Sequence, residues 1–145
     1  MQNIYLTIDD DTLKAYSEYY FQHHPKAQNV PIKHPYHESI NTWMILRRPM
    51  MNSLKQRWKD FTIWLVNQQG YTNLRISQCE MSFKVYYPNK HRHDIDNTTP
   101  KFILDGLVES GLVEDDDCTH ITKLILECDV DAKHPRTEIK IICPE

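Results

Sequence analysis

Glycine is scarce, with 3 residues in a chain of 145. That excludes a glycine-rich phosphate loop and any collagen-like repeat. Long apolar runs are missing as well, so no stretch reads as a membrane span. The opening segment from Met1 to Asp9 lacks the basic region and apolar stretch of a secretory signal, and the expected compartment is the cytoplasm. The cysteines at 79, 118, 128 and 143 show no Cys-x-x-Cys spacing, which argues against a zinc ribbon or a redox motif. Three of the four fall in strand-like text, and they read as reduced, mostly buried, small apolar residues. A basic excess is absent too. Lys and Arg number 17 against 20 Asp and Glu, for a net charge of −3. Taken alone, this argues weakly against a nucleic-acid binder.

What is present suffices for one ordinary core. Hydrophobic residues make up 40% of the chain and charged residues 26%. A domain of this length buries roughly two-thirds of its unfolded surface, so it needs neither disulfide nor metal to fold. Charge is segregated. Arg47, Arg48, Lys55, Arg57 and Lys59 lie close together, as do Lys84, Lys90 and Arg92. Acid gathers at residues 9–11, at Asp94 and Asp96, and from Glu114 to Asp117. An enzyme that holds divalent cations against phosphate needs such an acidic pocket inside a basic rim.

Periodicity predicts the elements. Residues 3–8 read as a short strand, and 11–22 as helical through Leu13, Tyr16 and Tyr20. A loop rich in Pro and His follows to Glu38, and a second short strand is expected around 40–46. The clearest helix spans 49–68, where Met51, Leu54, Trp58, Phe61 and Leu65 form one stripe; Pro49 suits its first turn and Gly70 its end. Residues 74–87 read as a long strand with a phase slip near Ser77 and Gln78, the mark of a bulge. A helix over 100–110 is capped by Thr99, buries Ile103, Leu104, Leu107 and Val108, and stops at Gly111. Strands at 121–128 and 137–143 close the chain, with Pro135 in the turn between them. The expected fold is α+β: a single domain over 1–145 with a mixed β-sheet and two main helices on one face. The core order is β-α-β-α-β-β, and residues 1–30 are an N-terminal extension.

The stretch from His91 to Lys101 carries the chemistry. If Asp94 and Asp96 are extended, alternation puts both carboxylates on one side and Ile95 toward the core. Two such carboxylates repel unless a cation lies between them, and hard oxygen donors suit Mg²⁺ or Mn²⁺. The chain must then return after the helix to bring Asp116 to the pair. Each part also has a plainer use. An Asp-x-Asp-Asn before a helix more often serves turns and caps, three aspartates in a loop are usually a solvated turn, and Lys101 with Asp105 makes an ordinary surface pair. An EF-hand is excluded, because its sixth and twelfth positions would be Thr99 and Asp105. His91 and His93 alone are a weak zinc signal.

The ordered set Asp94-Ile95-Asp96-Asn97, then Lys101, then Leu104-Asp105-Gly106-Leu107-Val108-Glu109-Ser110-Gly111-Leu112-Val113-Glu114-Asp115-Asp116, resembles the RusA-type Holliday-junction resolvases over about residues 83–128. The resemblance implies a Mg²⁺-dependent endodeoxyribonuclease, with Mn²⁺ as substitute, that cuts four-way DNA junctions as a homodimer. It implies a metal site of Asp94, Asp96 and Asp116, with Lys101 catalytic and with Asp115 or Asp117 as other choices in the blurred triplet. Lys90, Arg92 and Asn97 are the expected DNA contacts, with Arg57 on the basic helix face behind them. Residues 1–30 have no clear counterpart in that family. One extra residue lies between Asn97 and Lys101, and His91 and His93 interrupt what is an arginine run in the family. Competing readings are a non-catalytic DNA-binding protein on the same fold, or another metal-dependent phosphohydrolase such as a flap nuclease.

Overall fold

Alternation of burial builds the sheet. In β1 (Ile4–Asp9) the residues Ile4, Leu6 and Ile8 are buried while Tyr5 and Thr7 are exposed. In β2 (Cys79–Tyr87) every odd residue is buried, and in β4 (Arg136–Ile142) the buried set is Thr137, Ile139 and Ile141. With β3 (Ile121–Val130) these form one four-stranded mixed sheet in the order β1-β4-β2-β3. The β2–β3 pair is parallel, and β4 runs antiparallel to both β1 and β2. The structure, a computed structural model, describes residues 3–144.

Helices pack on the apolar face of this sheet. They are α1 (Asp10–His23), the single turn α2 (Ile40–Trp43), α3 (Arg48–Gln68) and α4 (Lys101–Glu109). The stripe Leu54, Trp58, Phe61 and Leu65 of α3 is buried in one cluster with Ile103 and Leu107 of α4 and Met81, Phe83, Ile139 and Ile141 of the sheet. Gly106 lets α4 approach α3 closely: a Cβ there would stand 2.6 Å from the Thr62 Cβ. Gly70 and Gly111, at φ +79° and +78°, make the reversals after α3 and α4.

Several expectations change. Residues 40–43 are helical, not a strand, because the Ser39 hydroxyl accepts from the Thr42 amide at 3.3 Å and starts a turn. The N-terminal extension carries the strand and helix expected of it and is built into the core. β1 pairs along β4, Asp9 caps α1 through the Thr12 amide at 2.9 Å, and Tyr16 packs edge-on against Phe61 at 5.1 Å. The first two residues of that segment lie outside the described residues. The strand expected from 74 begins only at Cys79. Asn73 and Arg75 have φ of 61° and 53°, and Ile76 makes a lone parallel bridge to Val113. The bulge falls on the neighbour instead: Cys79 stands opposite Ile121 but Glu80 opposite Lys123, which leaves Thr122 extra. Thr99 does not cap α4; its hydroxyl donates to the Asp96 carbonyl at 3.1 Å, and Pro100 occupies the cap position.

Candidate functional site

The segment between β2 and α4 is held at both ends. Tyr87 stacks on His93 with ring centroids 3.7 Å apart, and the Asp131 amide donates to the Tyr87 carbonyl at 2.9 Å. Beyond it, the Asn97 amide donates to the Asp94 carbonyl at 3.0 Å and the Thr98 hydroxyl to the Ile95 carbonyl at 2.6 Å, which winds Ile95–Thr98 into a 3₁₀ turn. That turn corrects the extended reading of 94–96. Ile95 is 47% exposed rather than in the core, and Thr98 is the buried residue. With three residues per turn, strand alternation no longer puts Asp94 and Asp96 on one side.

Asp94, Asp96, Lys101, Lys90 and Arg92 are all exposed on this one loop and helix start, with Asn97 half-buried. Arg92 pairs with Asp94 at 3.3 Å, and Lys101 with Asp105 at 3.1 Å. The second contact is the i,i+4 surface pair that the spacing allows. Lys101 sits in the first turn of α4, where the helix dipole favours anions. α2 packs against the 3₁₀ turn, and Arg47 and Arg48, exposed at the start of α3, follow it in the chain. Arg57 is half-buried on α3. Its guanidinium donates to the Ser53 hydroxyl at 2.7 Å, and it lines a groove of about 800 Å³ with Lys33 and Glu38.

The third carboxylate is not gathered here. The Cys79 amide donates to the His120 carbonyl at 2.8 Å and the Glu114 amide to the Ile76 carbonyl at 3.0 Å, so Asp115, Asp116 and Asp117 stand at the start of β2. Asp94 and Asp96 follow its end. Eight residue steps of strand separate those ends, about 26 Å at 3.3 Å per residue. Among the described residues no group of three or more His, Cys, Asp or Glu side chains is arranged to hold a metal. Instead, Asp117 closes its own turn. Its carboxylate accepts from the Thr119 hydroxyl at 2.7 Å and contacts His120 Nδ1 at 2.7 Å. The Thr119 and His120 hydrogen bonds pull the Asp117 pKa down to about 2, and the Asp117 hydrogen bond raises that of His120. The Asp115 carboxylate accepts from the Asp116 amide at 2.8 Å.

No family model and no curated protein matches this chain. The resemblance to the RusA-type resolvases therefore rests on the quoted motifs. Among the described residues no helix is long and apolar enough to cross a membrane.

One positioning residue is invisible in the motif. His37, 6% exposed, accepts the Phe102 amide on Nε2 at 3.1 Å. Its Nδ1 stands 2.6 Å from the Glu38 carbonyl, so that nitrogen carries the proton. Burial holds the ring below the usual histidine pKa, and the neutral imidazole satisfies an orphan amide at the start of α4, one residue from Lys101. Glu38 in turn accepts from the Trp58 indole at 2.7 Å. The sequence signal was a histidine in a Pro-rich loop, which names no partner.

Proposed function

We propose that this chain is a divalent-cation-dependent endodeoxyribonuclease acting on branched DNA, in the manner that its motifs resemble. The observation that carries the reading is the joint exposure of Asp94, Asp96, Lys101, Lys90 and Arg92 on the one segment that starts α4. Asp94 and Asp96 are hard oxygen donors and would hold Mg²⁺. When bound, the ion polarises a phosphodiester and lowers the pKa of attacking water. Lys101 leaves Asp105 to meet a phosphate oxygen, helped by the positive end of the helix dipole. Arg92 exchanges Asp94 for the backbone of the substrate. Lys90, Arg47 and Arg48 hold flanking phosphates, and binding then weakens steeply with salt.

The test is cleavage of a synthetic four-way junction in Mg²⁺ by the full chain and by Asp96→Asn. Loss of cutting with junction binding retained supports the reading. Equal cutting by both proteins refutes it. A second reading follows from one observation: among the described residues no third carboxylate joins the pair. It is a DNA-binding protein without cleavage, and it predicts junction binding in EDTA and no cutting at any Mg²⁺ or Mn²⁺ concentration.

A further inference from the structure

We propose that the groove between α3 and the loop over 24–39 holds an unpaired strand of the DNA substrate, so that the preferred target is a branch with a single-stranded arm. This rests on the nuclease reading and narrows its substrate class. Charge selects a polyanion. Residues 39–59 run through α2 into the middle of α3 and contain no Asp or Glu but five Lys or Arg, in a chain whose net charge is −3. Lys59 is paired with Glu109. Arg57 is half-buried and among the described residues meets only the Ser53 hydroxyl at 2.7 Å, which fixes the guanidinium without neutralising it. Arg57 lines the groove with the exposed Lys33. The one carboxylate in the lining, Glu38, is engaged by the Trp58 indole at 2.7 Å.

Shape selects a single strand. A groove of about 800 Å³ is of the size that takes a small molecule such as one or two nucleotides, and a duplex is too broad to enter it. The lining between the cations is apolar. Val30 comes from the loop and Met50 from α3, 46% and 53% exposed, and Tyr20 adds an aromatic ring backed by His24 at 4.2 Å. Bases stack on such surface whatever their sequence, while the phosphates meet Lys and Arg. The groove also adjoins the candidate site. Thr42 of α2 lines it, and α2 packs against the 3₁₀ turn that carries Asp96. A strand that leaves the Asp94–Lys101 segment over α2 therefore enters the groove, past the exposed Arg47 and Arg48 at the corner between α2 and α3.

The test is the fluorescence anisotropy of a labelled oligo-dT of about ten nucleotides with the full chain in EDTA, where no metal can hold DNA at the aspartate pair. The wild type is expected to bind. Arg57→Gln should weaken binding about fivefold or more and lower the slope of log affinity against log salt by about 0.7, the share of one phosphate on a single strand. Met50→Glu, at an exposed position, should weaken it about tenfold or more by setting an acid against the strand. Unchanged far-UV circular dichroism shows that both variants fold. Cleavage is read separately, in Mg²⁺, on a fork with a single-stranded arm and on a fully paired four-way junction. Faster cutting of the fork supports the proposal, and faster cutting of the paired junction overturns it. Oligo-dT binding that both variants weaken, with no substrate cut, supports the groove and removes the nuclease reading alone. No binding of oligo-dT, or binding that neither variant changes, overturns the groove and leaves the nuclease reading standing. Displacement of the labelled strand by poly-glutamate as readily as by unlabelled oligo-dT overturns the proposal in favour of an acidic peptide.

Discussion

His37 offers the sharpest test of how the loop over 24–39 holds the candidate site. His37→Phe keeps an aromatic ring between Trp58 and Phe102, whose centroids lie 5.5 and 5.1 Å from the imidazole. It removes both hydrogen bonds. One buried amide, that of Phe102, and the Glu38 carbonyl lose their partner. Leaving such groups unpaired costs about 1–3 kcal/mol each at full burial, and about 2–4 kcal/mol is expected together, since the carbonyl keeps some access to water. For a chain of this size that lowers Tm by roughly 5–15 °C. The pH dependence identifies the cause. Burial depresses the pKa of folded His37, whereas the unfolded chain takes up a proton near the ordinary value of about 6.5. Below that value the unfolded state binds more protons, so wild-type stability is full above it and falls as the pH drops, by up to about 1.4 kcal/mol per pH unit. The phenylalanine variant lacks this slope. Thermal melts at pH 7.5 and 5.5 should therefore show a gap that narrows in acid. A gap that stays constant or widens refutes a neutral, hydrogen-bonded His37.

Gly106→Ala should cost about 1–3 kcal/mol in denaturant melts, because the new Cβ would press on the Thr62 side chain in a packed interface; an unchanged midpoint would show that α3 and α4 can part freely. Asp117→Asn should bring the His120 pKa back down toward the ordinary histidine value, followed by NMR titration; an unmoved titration would mean that the Asp117 contact does not raise it. Asp117 itself contributes stability that is present above the unfolded carboxylate pKa and is lost only as the pH falls toward about 2.

Much of the framework was written locally. The stripe of α3, the alternation of β2 and the Pro and Gly punctuation around α3 each come from neighbours in the chain, and periodicity reads them because burial on one face is a local pattern. Residues 40–43 misled because Trp43, Met44, Ile45 and Leu46 look strand-like, while a single hydroxyl, that of Ser39, tips the backbone into a turn. The exposed cluster of Asp94, Asp96, Lys101 and Arg92 was legible as a motif. Its geometry was not, since the 3₁₀ turn depends on Tyr87 holding His93 and on Thr98 being buried beside β3. The chain order alone could not say where the acidic triplet lands. Parallel pairing of β2 and β3 decides that, because the return down α4 delivers residues 115–117 to the start of the strand whose end carries the aspartate pair. Composition and spacing thus fixed which groups this protein has to offer; hydrogen bonds between residues distant in sequence, such as His37 to Phe102, decided which of them meet.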